Sequence, residues 1–258
     1  MNLTFNVDIA KNYKSNSQKS RIVTETWLGD NMYCPICGNP MLFHHKANSP
    51  VADFFCNDCK ADFELKSKKS KNATIQNIIP DGAYSTMIER IISLNNPNLF
   101  VMTYFNNCVS NLIFIPNFFF VPEIIIKRPP LKENARRAGW IGCNINIGLV
   151  PNDARIYIIE KGTIVPSNTV IKNYRRILSL QTNTLQSRGW IMDTMACIDK
   201  IPQNQFTLQD LYAFESELKI KYPNNNFIKD KLRQQLQILR DKGFIEFTTR
   251  GNYRKIKL

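Results

Sequence analysis

The chain has 258 residues, 43% of them hydrophobic, so it can bury a sizeable core as one large domain or two smaller ones. Its formal net charge of +13 and its isoelectric point of about 9.5 make nucleic acid the natural partner on electrostatic grounds. The most apolar stretch, Leu112 to Ile126, is interrupted by Pro116 and Pro122 and is too short to span a bilayer, so a membrane partner is not expected.

The cysteine usage indicates a reducing compartment. Four of the seven cysteines form two closely spaced pairs, a pattern that suits metal ligation better than a disulfide framework. The opening MNLTFNVDIAKNYKS lacks the shape of a secretory signal. We therefore expect a cytoplasmic protein, and we expect it to be a monomer.

The first two thirds of the chain predict a mixed α/β domain. An amphipathic helix is predicted over Asn12 to Leu28 and a second helix over Asp81 to Leu94. The later apolar runs are β-rich and bounded by Asn and Pro, which predicts a mixed sheet. These predicted strands are LFVMTYF, NLIFIP, FFFVP and Arg155 to Glu160.

The last third predicts a different domain. The polar segment Ser179 to Gly189 is the candidate boundary, giving domains 1–182 and 183–258. Helical spacing follows, and then two short alternating strands flank a turn at Arg250 and Gly251. Three helices and a terminal hairpin are the order of a winged helix-turn-helix. The predicted helices are Trp190 to Ile201, Thr207 (as cap) to about Lys221 and Asn226 (as cap) to about Lys242.

The two cysteine pairs predict a structural zinc site. Two residues separate the cysteines within each pair, and eighteen lie between the pairs, which is the spacing of a four-cysteine site. A saturated four-thiolate site leaves no open position for catalysis. His44 and His45 are alternative ligands, and four unrelated buried thiols are the structural alternative. The predicted ligands are Cys34, Cys37, Cys56 and Cys59.

The second cysteine pair is predicted to lie at the tip of a β-hairpin that carries acidic residues. Pairing about the middle of CNDC sets Asp53 opposite Asp62, whereas a midpoint one residue later sets Asp53 opposite Glu64. With a side-chain period of two, Asp62, Glu64 and Lys66 share the face of Asp53 in either register. Carboxylates at such short distances repel one another, and a bound divalent cation would relieve this repulsion.

Asp53 followed by Glu64-Leu65-Lys66 is the pattern of the PD-(D/E)XK nucleases. The triplet alone is weakly specific. Glu217-Leu218-Lys219 repeats it on a predicted helix, and Asp58-Cys59-Lys60 fits a looser form around a predicted zinc ligand. A surface salt bridge between Glu64 and Lys66 is the structural alternative.

Such a site would support phosphodiester hydrolysis. Magnesium held by Asp53, Glu64 and the carbonyl of Leu65 would polarise the scissile phosphate and lower the pKa of a bound water. Lys66 would orient or help deprotonate that water. Glu25 or Gln18 on the first helix could complete the site.

The last predicted helix and the hairpin form a candidate DNA-reading surface. Arg and Gln side chains opposite the apolar stripe suit base edges in the major groove, and Lys side chains suit phosphates. A solvated face in a domain-docking module is the alternative. The candidate DNA-contacting residues here are Lys229, Lys231, Arg233, Gln234, Gln237, Arg250, Tyr253, Arg254 and Lys255.

Motifs across almost the entire chain resemble one family, the DpnI-like methyl-directed restriction endonucleases. They include KSNSQKSRI, YCPICG, PVADFFCNDC, FELKSKK, RRAGWIGCNI and FIKDKLRQQLQILRDKGFIEF. The resemblance implies a PD-(D/E)XK domain joined to a winged helix, and cleavage of GATC sites with methylated adenine, both domains recognising the site. It also makes Trp140 a methyl-contact candidate in a basic loop with Arg136 and Arg137, although an aromatic there can equally be a core anchor.

Two other functions remain open from the sequence. One is a zinc-containing winged-helix regulator that binds DNA without cutting it. The other is a nuclease that acts on mismatches or junctions through the same site. The methyl requirement is not visible in the residue pattern and comes from the resemblance alone.

Overall fold

The computed structural model describes residues 1–46, 52–182 and 184–256. The chain divides into two compact units, one formed by Met1–Gly148 and Ala154–Arg175, the other by Leu149–Asp153 and Arg176–Leu258. In the described ranges, no helix has the length and apolar character needed to cross a membrane. The mixture of helices and sheets is the α+β fold that the sequence predicted.

The first unit combines helices with runs of consecutive strands. In chain order its helices and strands are α1 (Asn16–Asn31), β1 (Phe43–His44), β2 (Phe54–Phe55), β3 (Asp62–Lys69), β4 (Ile78–Ala83), α2 (Tyr84–Ile92), β5 (Asn98–Phe105), β6 (Cys108–Ile115), β7 (Ile125–Lys127), β8 (Gly142–Asn146), β9 (Ile156–Glu160), β10 (Thr163–Ile164) and most of α3 (Ser167–Leu178), whose last three residues belong to the second unit. The first helix begins at Asn16 and not at Asn12, because Ser15 has an extended backbone.

A seven-stranded sheet in the order β1-β2-β3-β5-β6-β9-β10 forms the centre of this unit. Strands β3 and β5 are parallel and the other neighbours are antiparallel, so the predicted mixed sheet is confirmed. Parallel neighbours need a crossover connection, and β4 with α2 supplies it between β3 and β5.

Aromatic packing holds the middle of the sheet. The fully buried rings of Phe63, Phe100 and Phe114, on β3, β5 and β6, lie with centroids 5.2 to 6.1 Å apart. Burial of each ring stabilises the fold by about 1.5–3 kcal/mol. Because side chains alternate along a strand, Glu64 and Lys66 point away from the face of β3 that carries Phe63.

A smaller antiparallel sheet has the order β4-β8-β7. Asp81 on β4 lies opposite Cys143 on β8, and the register shifts between Asp81 and Ala83. Such a bulge bends the strand and re-aims its side chains. The loop formed by residues 128–141 joins β7 to β8.

Two predictions in this unit are wrong. Asp81 was expected to start a helix, but it lies on β4, and α2 begins at Tyr84. FFFVP was expected to be a strand, but Asn117–Phe119 and Pro122–Ile124 are 3-10 turns. Pro122 and the preceding Pro116 fix the backbone φ and lack an N–H, so the chain cannot continue the ladder of β6 here.

The second unit has the predicted winged-helix order. A three-stranded sheet in the order β11-β13-β12 accompanies its helices, and Gly251 has φ of +77° in the turn between the last two strands. The elements are α4 (Leu185–Lys200), β11 (Gln205–Thr207), α5 (Leu208–Tyr212), α6 (Glu215–Lys221), α7 (Ile228–Asp241), β12 (Ile245–Thr249) and β13 (Asn252–Lys255).

The N-terminal helix of this unit begins earlier than predicted. The polar segment to Gly189 was expected to be a linker, but α4 starts at Leu185, because the Thr184 side chain caps it by accepting a hydrogen bond of 3.2 Å from the Ser187 N–H. A Cβ at Gly189 would lie 2.9 Å from the hydroxyl of Tyr222, so the glycine allows close packing. Asn183, at the predicted domain boundary, lies outside the described residues.

Two further helix predictions need correction. Thr207 caps a helix with a capping box to Asp210, as expected, but the predicted single helix is two, α5 and α6, with Ala213 and Phe214 between them. Asn226 was expected to cap α7, yet Phe227 occupies the cap position without a side-chain hydrogen bond. The Asn226 side chain instead accepts a 2.9 Å hydrogen bond from Lys219 Nζ.

Candidate active site and metal centre

The two cysteine pairs form turns with the same hydrogen-bond pattern. Cys34 N–H donates to the Asn39 carbonyl and Gly38 N–H to the Cys34 carbonyl. Cys56 N–H likewise donates to Ala61, and Lys60 N–H to Cys56. Gly38 has φ of +87° and Lys60 has φ of +58°, so both turns need a left-handed residue four positions after the first cysteine. The second turn achieves this without glycine.

The four cysteine sulfurs lie close enough together to bind one metal ion. Sγ of Cys34 is 3.6 Å from Sγ of Cys59, Sγ of Cys37 is 3.6 Å from Sγ of Cys56, and all four lie within 4.8 Å of one another. A tetrahedral zinc with bonds of about 2.3 Å places its sulfurs about 3.8 Å apart. The donor set and its spacing therefore fit zinc.

Burial favours the protonated form of two of the four thiols when no metal is bound. Burial raises the pKa of Cys34 strongly and raises the pKa of Cys59 to about 11. Zinc binds thiolates, so metal binding would release these protons and contribute to folding. His44 and His45 lie elsewhere: His45 Nε2 is 2.8 Å from Asp62 Oδ1, and the His44 ring packs on Phe54 at 4.4 Å.

The hairpin that carries the second cysteine turn also positions the carboxylates. Phe54 lies opposite Phe63 and Phe55 opposite Asp62, which is the second of the two registers considered and sets Asp53 beside Glu64. Pro50 and Val51, in the predicted first strand, lie outside the described residues.

Asp53, Glu64, Leu65 and Lys66 all line one cleft of about 540 Å³ between α1 and the sheet. Asp53 Oδ2 accepts a hydrogen bond of 2.8 Å from the Leu65 N–H. The structure thus brings the four residues together. It gives two carboxylates and a backbone carbonyl as possible oxygen donors, a set that suits magnesium.

Lys66 is held by two carboxylates. Its Nζ lies 2.6 Å from Glu64 Oε1 and 2.5 Å from Asp81 Oδ1. The side chains of Lys66, Glu64 and Asp81 are 23%, 20% and 7% exposed, so this is a shielded network and not a solvated surface pair. The Glu64–Lys66 ion pair considered from the sequence exists, but it lies in the cleft.

The pKa values of the cleft residues are shifted by burial and by the closeness of several charged side chains. Burial raises the pKa of Glu64, and the nearby Asp81 and Asp53 charges raise it further, against the lowering effect of Lys66. Burial lowers the pKa of Lys66, but Glu64 and Asp81 outweigh it, so that the Lys66 pKa rises above its usual value. Lys66 is therefore a fixed positive charge in this arrangement.

Helix α1 supplies the opposite wall of the cleft. Glu25 lines it and accepts a 2.6 Å hydrogen bond from Arg21 Nε. Gln18 lines a neighbouring cavity of about 290 Å³, which Glu25 and Asp53 also border. Both helix residues considered from the sequence thus lie near Asp53, with Glu25 in the main cleft.

The two competing Glu-x-Lys matches have other surroundings. Asp58-Cys59-Lys60 contains a cysteine of the metal cluster. Glu217 lies on α6 in the second unit, where its Oε1 is 2.6 Å from Lys200 Nζ. Lys219 on the same helix donates to backbone carbonyls and to Asn226. These contacts are structural.

Asp81 is the partner of the cleft residue Lys66 that the sequence reasoning missed. It comes fifteen residues after Lys66 and was read as the first residue of a helix. Its contact with Lys66 depends on how the two sheets pack, which no local pattern of the sequence specifies.

The loop with Trp140 is ordered by its own backbone. Leu131 N–H donates to the Trp140 carbonyl at 2.9 Å, and Gly139 N–H to the Leu131 carbonyl at 2.9 Å. Trp140 is half-buried, and guanidinium carbons lie over its ring, 5.1 Å away for Arg137 and 5.6 Å away for Arg128. Arg136 is exposed.

The candidate DNA-contacting residues of α7 lie mostly on its solvent-facing side. Lys229, Arg233, Gln234 and Gln237 are exposed, and Lys231 is half-buried. Internal pairs occupy several of them: Lys231 Nζ donates to Gln234 Oε1 at 2.7 Å, and Arg233 pairs with Asp230. DNA contacts would exchange with these pairs. The opposite stripe of Ile228, Leu232, Leu236 and Leu239 is buried, as predicted.

The hairpin places its candidate residues differently. Arg250 and Arg254 are exposed, and Arg254 pairs with Glu246. Tyr253 is half-buried, with its ring 5.5 Å from that of Phe206 on β11. Lys255 is half-buried and donates to a backbone carbonyl. The two arginines are therefore the more exposed of the hairpin candidates, and Arg254 would exchange its pairing with Glu246 to bind a phosphate.

Comparison with known protein families matches both parts of the chain. The model of the DpnI family, described as the Dam-replacing family, matches residues 1–183. The model described as the Dam-replacing HTH domain matches residues 186–255.

Proposed function

The chain belongs to the DpnI, or Dam-replacing, family, and from this premise we propose that it cleaves double-stranded DNA at GATC sites that carry methylated adenine. Membership of the family implies a methyl-dependent restriction endonuclease with a DNA-binding winged helix. The GATC sequence, the magnesium cofactor, the type II assignment and the reading of the site by both domains are our proposal.

One observation carries the catalytic part of this proposal. Asp53, Glu64 and Lys66 line a single cleft, and two of the four clustered cysteines lie at the tip of the hairpin that carries these residues. A saturated zinc site is structural, so the cleft is where the chemistry would occur. We propose the division 1–182 for the catalytic domain and 183–258 for the winged helix.

The residues of the cleft would divide the reaction between them. Asp53 and Glu64, with the carbonyl of Leu65, would hold a magnesium ion, which supplies Lewis-acid polarisation of the phosphate and a more acidic bound water. The Leu65 N–H keeps the Asp53 carboxylate in place. Lys66, fixed as a cation, would orient the attacking water and offset the negative charge that develops on the phosphate. We favour this role over deprotonation of the water.

The rest of the molecule would select the DNA. Arg233, Gln234 and Gln237 on α7 are suited to base edges, and Lys229 and Lys231 to phosphates. Trp140 would contact the methylated adenine. The cytoplasmic location stays a prediction from the cysteine usage.

Digestion of one plasmid, prepared with and without adenine methylation at GATC, tests the proposal. Each preparation is incubated with purified protein and either magnesium or EDTA. We expect cutting of the methylated plasmid alone, and only with magnesium. Equal cutting of both plasmids would reject the methyl dependence and favour a repair or junction nuclease, and binding without cutting would favour the regulator.

A further inference from the structure

The carboxylate of Asp81 reaches Lys66 from outside the hairpin that carries the other acidic residues. Its Oδ1 lies 2.5 Å from Lys66 Nζ, and its side chain is 7% exposed, less than that of Glu64 at 20%. Asp81 lies on β4, in the smaller sheet, so the contact joins the two sheets of the first unit.

Asp81 and Glu64 have different relations to Lys66. Both contact its amine, but Glu64 is also a proposed ligand of the magnesium ion. A carboxylate that coordinates a divalent cation gives much of its charge to that cation, so its hold on Lys66 weakens. Asp81 would then be the partner that keeps the amine in its place.

The backbone around Asp81 is itself anchored. The register of β4 and β8 shifts between Asp81 and Ala83, and the Asp81 carbonyl accepts a 3.0 Å hydrogen bond from Arg128 Nη2. The Arg128 side chain fills the space beside Gly142, where an added Cβ would meet Nη2 at 2.0 Å. Its guanidinium also lies over the Trp140 ring, 5.6 Å from the centroid.

We propose that Asp81 is a positioning residue for Lys66 and that Arg128 ties it to the loop carrying Trp140. This inference rests on the proposed function, because it gives Lys66 a role at the scissile phosphate. Asp81 itself touches neither substrate nor metal in this arrangement. It acts through Lys66, and Arg128 links Asp81 to the candidate base-contacting Trp140 through a hydrogen bond to the Asp81 carbonyl and a cation–π contact with the Trp140 ring.

The test compares Asp81→Ala and Asp81→Asn with the unaltered protein in single-turnover cleavage of methylated DNA. We expect Asp81→Ala to slow cleavage by about 10- to 100-fold, the usual cost of losing an orienting group. The dissociation constant for the same DNA, measured without magnesium, should change less than about twofold. Asp81→Asn keeps an oxygen acceptor for Lys66 and should recover part of the rate.

A double-mutant cycle with Lys66→Ala separates positioning from general damage. If Asp81 acts through Lys66, the double variant cleaves no more slowly than Lys66→Ala, and the effects on the free energy of unfolding are also non-additive. A cleavage rate in Asp81→Ala equal to that of the unaltered protein would overturn the inference. So would additive effects of the two substitutions on both the cleavage rate and the free energy of unfolding.

The matched control is Asp193→Asn. Asp193 Oδ1 lies 2.5 Å from Lys221 Nζ, and the Asp193 side chain is 16% exposed, so this variant alters a similar shielded Lys–Asp pair in the winged-helix unit. Its cleavage rate should equal that of the unaltered protein. If the unaltered protein cuts no DNA, the proposed function fails, and the double-mutant cycle on the free energy of unfolding then tests the Asp81–Lys66 pairing by itself. Additive changes in that free energy would reject the pairing, whereas non-additive changes would support it.

Discussion

The backbone N–H of Leu65 donates a hydrogen bond of 2.8 Å to the side-chain carboxylate of Asp53. This contact joins the residue before β2 to the middle of β3, where Glu64 and Lys66 flank the donor. One oxygen of Asp53 is therefore held by the protein, and the carboxylate has a fixed direction before any metal or DNA arrives.

Asp53→Asn should abolish cleavage while leaving DNA binding largely intact. The amide removes the negative charge that would hold magnesium but keeps an oxygen that can accept from Leu65 N–H, so the fold is preserved. We expect the single-turnover cleavage rate to fall by at least about 1000-fold, comparable to the loss of a major source of transition-state stabilisation. Asp8→Asn, at an exposed carboxylate that pairs with Lys11, is the control. Loss of cleavage and folding together would indicate a structural role for Asp53.

Cys37→Ser should remove zinc and destabilise the protein. The variant loses one of four thiolates, and metal binding contributes to folding when ligands are brought together only in the native state. Zinc per chain, measured by mass spectrometry of the purified protein, should fall from one to near zero, with a lower melting temperature. Cys108→Ser is the control, because Cys108 lies outside the cluster. Full zinc content in Cys37→Ser would contradict the four-cysteine site.

Gln237→Ala should weaken sequence-specific binding by the winged helix. Gln237 is exposed on α7, and a bidentate contact to a base is worth about 1–3 kcal/mol, which corresponds to about a 5- to 150-fold loss of affinity. Fluorescence anisotropy with a GATC duplex and with a scrambled duplex measures it. Gln186→Ala changes an exposed glutamine on α4 and should have no effect. An equal loss on both duplexes would show that Gln237 does not read the sequence.

Trp140→Ala should reduce the preference for methylated DNA. Stacking of an aromatic ring on a base is worth about 1–3 kcal/mol, so we expect about 5- to 150-fold weaker binding of the methylated duplex. The affinity for the unmethylated duplex should change much less. Leu131→Ala, at an exposed residue of the same loop, controls for loop disturbance. If the melting temperature falls while the preference for methylated DNA is kept, Trp140 is a core anchor.

Local sequence patterns were sufficient to predict those features whose geometry is set by residues close together along the chain. The spacing of the cysteines predicted a compact cluster, and their sulfurs lie within 4.8 Å of one another. The alternation of side chains placed Glu64 and Lys66 on one face of β3, and both line the cleft with Asp53. Both patterns depend on the backbone geometry of neighbouring residues, so they can be recognised in a single sequence.

Local patterns failed where packing decided the outcome. No proline or glycine marks the break between α5 and α6, which falls at Ala213 and Phe214. β11 was not foreseen, because its three residues form a strand only by pairing with β13. Asp81 was read as helical because the apolar spacing after it continues into α2.

The sequence by itself determined the cysteine turns, the acidic hairpin and the winged-helix order, since each is encoded by nearby residues that adopt a fixed backbone geometry. Only the tertiary structure decided that Asp81 meets Lys66, that β3 lies parallel to β5, and that Arg128 reaches both the Asp81 carbonyl and the Trp140 ring. These contacts join segments that are separated along the chain, and they form only when sheets and loops pack together. No short-range repeat in the sequence specifies these contacts, because they are stabilised by burial and pairing that exist only in the folded state.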